Sequence, residues 1–468
     1  MSSRAIARLG ALFVLLFLVL AAAQIYVQVI DGPQLWANRF NPLRSNPADR
    51  RGTIVASDGS ILAKSVGGKR VYPEGPLLAQ AVGYASQRYG ESGLEASFDS
   101  FLAAPAPQGN PLEQLRDIFD PHSEEQGARL VTTIDLPTQR VLYADLSRYA
   151  RGAGIVLDPV TGDVLALASV PSFDPNRVDA EFAHLSNDPE SALLDRSTSG
   201  LYPPGSTFKI FTAATALALG VVTPQTRFYD SGYYPIGNYT VHDNEGEATG
   251  NQDLGGAFAL SSNVDFAQIA LKIGVDRWID AAAQWKIGAR IPFDVPTESA
   301  HLPTRDEMTP GVLAQLGFGQ ANLLVTPLQM ALIGSTIANA GAMPRPILVR
   351  EIDTSEHRVV TPQEHLDEPI SADVAAQVRD LMLRVVAHGT GTAAALPGIA
   401  VAGKTGTATN PAGRSHAWFV AFAPARAPRV AVAIVVENAG YGGAISAPIA
   451  RDVMRVALAK HVVARPAP

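Results

Sequence analysis

YPPGSTFKIFTAATALAL, Tyr202 to Leu219, is the stretch from which the rest of the chain is read. Two prolines and a glycine make a turn, and the residues after it are apolar on every side. The pattern predicts a buried helix over Ile210–Leu219 whose first turn holds Ser206 and Lys209. Residues three apart on a helix share a face, so a hydroxyl and an amine can meet there. A serine hydroxyl is a weak nucleophile until a neighbouring base takes its proton. Lysine serves as that base only when burial or another cation destabilises its charged form. The helix start also aims backbone N–H groups at any oxyanion forming beside Ser206. The bland alternative is a capping serine with a lysine snorkelling off a core helix. Against it, a lysine heading an apolar helix needs a partner or a task. The chain has only seven lysines beside thirty arginines, which makes a lysine inside a motif informative.

Two distant segments join this one. Ser261-Ser262-Asn263 follows the apolar run Ala257–Leu260 and precedes a helix-like stretch, Phe266–Ile273. Alone it is a common loop pattern. Lys404-Thr405-Gly406-Thr407 closes a strand-like run, Ile399–Gly403. Such a strand can lie along a pocket and pair with an extended peptide, its glycine allowing close backbone approach. An edge strand guarded by lysine is the ordinary alternative.

Of the 468 residues, 47% are hydrophobic and 17% charged, which is globular composition. A net charge of −7 without any Lys/Arg-rich run argues against a nucleic-acid partner. The absence of cysteine excludes disulfides, thiolate metal sites and cysteine nucleophiles. Nine scattered histidines show no metal-binding spacing, and no cofactor is expected. At the N-terminus, Arg4 and Arg8 precede an apolar run from Leu9 to Ile30. Twenty-two residues at about 1.5 Å each cover a ~30 Å hydrocarbon layer, and the flanking positive charge puts the bulk of the chain outside. The rival reading is a cleaved signal peptide ending at Ala21-Ala22-Ala23.

Thr53–Ala56 and Ile61–Lys64 flank an Asp58-Gly59 hairpin signal. A Pro/Gly-rich stretch spans Ala103–Pro111. Asp135 is a plausible N-cap for a helix over Leu136–Ala150, with Pro137 at its start. Strands are expected at Ile155–Asp158, Asp163–Ala168, Ile399–Thr405, Ala417–Phe422 and Val430–Glu437, and a closing helix at Ala447–Val462. Residues 206–390 read as mainly helical. The sum is an α+β fold: a five-stranded, mostly antiparallel sheet with helices on it and a helical subdomain inserted.

The order SxxK, SxN, KTG resembles the signature of penicillin-recognising serine acyltransferases. Arg51–Ala63, Val156–Pro175, Gly319-Gln320 with Thr326–Gln329, and His416–Phe419 are similar to segments of class B penicillin-binding proteins. The likeness is nearest to the small penicillin-binding protein A type and covers nearly the whole chain. It implies the transpeptidase/serine β-lactamase-like fold and a peptidoglycan D,D-transpeptidase acylated by β-lactams. By this resemblance Ser206 is the nucleophile, attacking the donor D-Ala-D-Ala of a stem peptide, and Lys209 is the base for acylation. Ser261 relays a proton to the leaving amine, with Lys404 beside it, and Asn263 holds the substrate amide and Lys209. Thr405, Gly406 and Thr407 bind substrate, the two threonines at its terminal carboxylate. The N–H groups of Ser206 and Thr407 form the oxyanion hole, and an acceptor amine makes the cross-link.

The expected layout is a cytoplasmic tail over 1–8, an anchor over 9–30, a pedestal over 31–128 and a transpeptidase domain over 129–462. A membrane glycosyltransferase of the cell-wall machinery is the expected partner, because the pedestal is too short to hold one. Competing readings are a carboxypeptidase or β-lactamase, in which water resolves the acyl-enzyme, and a non-catalytic sensor. His242, Asp243, Glu245 and Glu247 read as a solvated loop rather than a metal site, and Gly389–Ala393 as a loop. Glu437 and Asn438 carry no assignment.

Overall fold

The structure, a computed structural model, describes residues 3–26, 50–103, 126–237, 239–243, 246–410 and 413–463. Helix α1 (Ser3–Ile25) carries the apolar run, and its side chains from Leu12 to Leu20 are exposed. Among the described residues, no helix is long and apolar enough to cross a membrane. Residues 27–30 of the expected span lie outside the described residues, as do 31–49 and 104–125 of the expected pedestal.

Strands β1 (Ile54–Val55) and β2 (Ile61–Val66) form the expected antiparallel hairpin, continued by β3 (Lys69–Val71). The hairpin belongs to a larger sheet: β1 pairs in parallel with β4 (Arg129–Thr132). Helix α2 (Leu136–Leu146) follows, with the Asp135 carboxylate accepting from the Thr138 N–H. It stops at Leu146, four residues before the expected end, with Ser147 as its C-cap. Strands β5 (Gly152–Leu157) and β6 (Val164–Val170) make the second expected hairpin. A 3₁₀ turn, Gly205–Phe208, then opens helix α3 (Lys209–Ala218).

The middle of the chain is less helical than its composition suggests. Strands β7 (Arg227–Asp230), β8 (Tyr233–Ile236), β9 (Tyr239–His242) and β10 (Gly250–Asp253) form two small ladders, β8 with β9 and β10 with β7. Helices α4 (Leu254–Leu260), α5 (Asn263–Ile273) and α6 (Pro327–Ala338) come next. Strands β11 (Val349–Asp353) and β12 (Arg358–Val360) extend the first sheet to the order β12-β11-β4-β1-β2-β3. After helix α7 (Ala372–His388) come β13 (Ala402–Ala408), β14 (His416–Ala423) and β15 (Val430–Val436). Helix α8 (Gly442–Val463) closes the chain, starting five residues earlier than expected.

The expected five-stranded sheet is present and wholly antiparallel, in the order β13-β14-β15-β5-β6. Alternation along β14 divides the core. Trp418, Val420 and Phe422 pack with Ile155, Phe208 and Met330, whereas Ala417, Phe419 and Ala421 pack with Leu142, Ile449 and Val453. Both faces are covered by helices, so β14 and β15 read as continuous apolar runs. Strand β13 is an edge, and it carries the Lys404 motif inside it rather than at its end.

Candidate active site

The turn before α3 is held from three sides. Gly205 donates its N–H to the Gly319 carbonyl at 2.9 Å. The Trp418 indole donates to the Pro203 carbonyl at 3.0 Å, and the Tyr202 hydroxyl to Glu437 at 2.9 Å. Gly205 has φ +53°, and a Cβ there would stand 2.9 Å from the Thr407 carbonyl oxygen. Glycine therefore both permits the turn and lets it lie against β13. Side chains three apart eclipse on a 3₁₀ turn, which puts Ser206 on the face of Lys209. Ser206 stays partly exposed while Lys209 is fully buried at the first position of α3.

Lys209 faces oxygens rather than a carboxylate. Its Nζ donates to the Ser261 carbonyl at 2.6 Å, to Ser261 Oγ at 3.2 Å and to Asn263 Oδ1 at 2.9 Å. Lys404, also fully buried, donates from Nζ to Ser261 Oγ at 2.8 Å and to the Thr405 carbonyl at 3.1 Å. One hydroxyl thus bridges two buried amines. Burial pulls Lys209 down to about 7, against weaker opposing pulls from Asp243, Asp265 and Asp230. Burial, then the nearby charge of Lys209, holds Lys404 well below the ordinary lysine range. Lys209 is therefore poised to exchange a proton near neutrality.

The bend between α4 and α5 delivers Ser261. It caps α4 in the left-handed region, φ 65° and ψ 38°, a conformation uncommon for serine. Ser262 then caps α5, accepting from the Asp265 N–H. The end of β9 grips the same bend, which corrects the reading of Asp243 as part of a solvated loop. Asp243 is buried, accepting from the Asn263 N–H and, at 3.3 Å, from the Val264 N–H and the Ser262 hydroxyl. His242 of the same group is exposed, and Glu245 lies outside the described residues. Among the described residues, no group of acids and histidines could hold a metal ion.

On β13, Thr405 is buried with its hydroxyl 2.5 Å from that of Thr390, in the loop after α7. Gly406 is required by its surroundings: a Cβ there would come within 2.8–3.0 Å of Trp418, Thr207 and the Pro204 carbonyl. Thr407 is partly exposed beside Gly205. Lys209, Ser261, Asn263 and Lys404 thus form one hydrogen-bonded cluster, with Ser206 and Thr407 at the abutting turn and strand.

Sequence reasoning missed Asp230, Asp243, Asp265 and Glu437. Glu437, unassigned above, accepts from Arg196 Nε and Arg151 Nε, both at 3.0 Å, as well as from Tyr202, and so anchors the turn before Ser206. A carboxylate directly after the apolar run Val430–Val436 is the signal that was available for it.

Comparison with known proteins agrees with this geometry. Residues 152–455 match the family described as penicillin binding protein transpeptidase domain, and residues 51–128 the penicillin binding protein A dimerisation domain. The chain is 34% identical to peptidoglycan D,D-transpeptidase PbpA of Mycolicibacterium smegmatis, over 96% of this chain and 97% of that one. Identity to peptidoglycan D,D-transpeptidase MrdA of Escherichia coli is 29%, over 81% and 69% of the two chains. Among solved structures, penicillin-binding protein A from M. tuberculosis as its ceftriaxone acyl-enzyme superposes with a TM-score of 0.81 at 32% identity. That match covers 88% of this chain and 99% of the other. The D,D-transpeptidase domain of an Eggerthella lenta peptidoglycan glycosyltransferase gives 0.80 at 34% identity, over 88% and 99%.

Proposed function

The chain belongs to the penicillin-binding protein transpeptidase family, and from that premise we propose that it is a class B peptidoglycan D,D-transpeptidase working through an acyl-enzyme on Ser206. The observation that carries this reading is the convergence of Lys209, Ser261, Asn263 and Lys404, from three distant segments, on one hydrogen-bonded cluster beside the Ser206 turn.

Ser206 Oγ attacks the carbonyl of the penultimate D-Ala, and its proton passes to the neutral amine of Lys209. The backbone N–H groups of Ser206 and Thr407 steady the oxyanion. As the C–N bond breaks, the terminal D-Ala amine takes a proton through the Ser261 hydroxyl, and the ester on Ser206 remains. The Lys404 amine, donating to Ser261 Oγ at 2.8 Å, orients that hydroxyl for proton movement, and Thr405 and Thr407 take the substrate carboxylate beside it. An acceptor amine then attacks the ester, forming the cross-linking amide and restoring Ser206. A β-lactam enters by the same first step, its ring C–N bond breaking in place of the peptide bond. Among the described residues, edge strand β13 has strand pairing on one side only, which suits an extended donor peptide.

The apolar run Leu9–Ile30 supports a single-pass anchor with residues 31–128 as a pedestal and 129–462 as the catalytic unit outside the membrane. A separate membrane glycosyltransferase then supplies the glycan strands. The test of the catalytic reading is covalent labelling of the full-length protein by a fluorescent penicillin. The wild type should be labelled and Ser206→Ala should not; a label surviving in that variant moves the nucleophile elsewhere.

A further inference from the structure

Among the described residues, Asn263 alone meets Lys209 through a side-chain amide, and an amide can face either way. Its Nδ2 donates to the His242 carbonyl at 3.0 Å. A carbonyl only accepts, so the NH₂ must turn toward β9 and Oδ1 toward Lys209, 2.9 Å away. The residue after β9, Asp243, takes the Asn263 and Val264 N–H groups on one carboxyl oxygen and the Ser262 hydroxyl on the other. Two consecutive residues therefore hold Asn263 by its side chain and by its backbone.

Asp243 is itself braced. Its N–H donates to the Gly232 carbonyl at 3.1 Å, and the Gly232 N–H donates to Asp230 at 2.7 Å. The Thr249 hydroxyl also donates to Asp230, at 2.5 Å, and the neighbouring Asp230 and Asp243 carboxyls perturb each other's ionisation. Of two neighbouring carboxyls, one keeps its proton to higher pH.

We propose, building on the acyl-enzyme reading, that Asp243 is a positioning residue for the acyl transfer: paired with Asp230, it fixes the first turn of α5 so that Asn263 aims its oxygen at Lys209. The charged groups facing this pair are Lys209 from α3 and Asp265 from α5, with Lys404 of β13 beyond Lys209. Burial raises Asp243 to about 7, the Asp230 contact adding to the rise, while hydrogen bonds outweigh burial and keep Asp230 low. The proton of the pair thus sits on Asp243 below about pH 7 and leaves it above. In its ionised form Asp243 draws Lys209 toward the charged state, so a neutral residue there leaves the amine easier to deprotonate.

The experiment measures the second-order rate of acylation by a fluorescent penicillin, over roughly pH 5 to 9, for the full-length wild type, Asp243→Asn and Asp243→Ala. Asparagine keeps the oxygen that accepts from α5 and lacks the charge. Expected are a roughly hundredfold loss in Asp243→Ala, the scale of a small misplacement of a catalytic group, and rescue to within a few-fold in Asp243→Asn. In Asp243→Asn the acidic limb should also move to lower pH. Asp243→Ala acylating like wild type would overturn the proposal, and so would Asp243→Asn losing as much as Asp243→Ala with its acidic limb unmoved. If Asp243→Ala does not fold, the Asp243→Asn rate and limb decide alone. A wild type that takes no label would instead sink the acyl-enzyme reading itself.

Discussion

Two buried charge clusters in this molecule face opposite ways chemically. Near β1, Arg51 donates to Glu95 and Asp99, both at 2.5 Å, and Arg70 donates to the other oxygen of Glu95 at 2.6 Å. Tyr72 adds its hydroxyl to Glu95 at 3.2 Å. Burial opposes the charge of Arg51, but Glu95 and Asp99 outweigh it and hold the guanidinium above its usual range. Under the five-stranded sheet, Lys209 and Lys404 are buried as deeply, yet meet a hydroxyl, an amide and carbonyls. There burial wins and the amines drift toward neutrality. Burial is common to both clusters, so the partner decides. Carboxylates make a buried cation a permanent structural charge, and neutral oxygens leave it a proton carrier.

The largest effect that could break this contrast is Lys209→Met. Acylation by penicillin should fall by about 10²–10⁴-fold, the usual worth of a general base, while the melting temperature holds or rises. A variant that unfolds instead would make Lys209 structural, like Arg51. Next comes Glu95→Gln, which leaves Arg70 without its carboxylate and Arg51 with Asp99 alone. A loss of about 3–5 kcal/mol in denaturant unfolding is expected, with labelling per folded molecule unchanged. A pH series sharpens the comparison further. Acylation should rise through about pH 7 as Lys209 loses its proton. The unfolded chain keeps that proton up to the ordinary lysine value, about 10.4. Stability should therefore increase with pH between those points, and Lys209→Met should flatten the rise. The smallest effect belongs to the exposed pair Arg305–Asp276, where Arg305→Ala should change stability by no more than about 1 kcal/mol.

What the sequence made legible tracks how local each signal is. The Ser206–Lys209 turn, both hairpins and the two apolar strands are written in neighbouring residues, and they fall within a few positions of expectation. The Lys404 segment was placed as a strand end because Ile399–Gly403 is more apolar, yet pairing runs from Ala402 to Ala408 against His416–Phe422. The ladders of residues 227–253 went unseen: each strand has four residues, and their exposed tyrosines give no apolar stripe. Nor can composition reveal that β1 pairs with β4 across a long intervening segment of chain. Asp243 misled most. Its Asp-Asn-Glu-Gly neighbours are those of a wet turn, and only tertiary packing shows that it is covered and bonded to α5.

Strand β13 ends its sheet while six of its seven residues, all but Thr407, are buried, held at Gly406 by Trp418 and Thr207. Its outer rim is in effect a rigid ruler beside a reactive hydroxyl, graded in backbone amides rather than in side-chain shapes. A compound that mimics main chain has little to adjust there, and the protein has little freedom to refuse it. Escape from such inhibitors should consequently arise in the movable neighbours of β13 rather than in the strand itself.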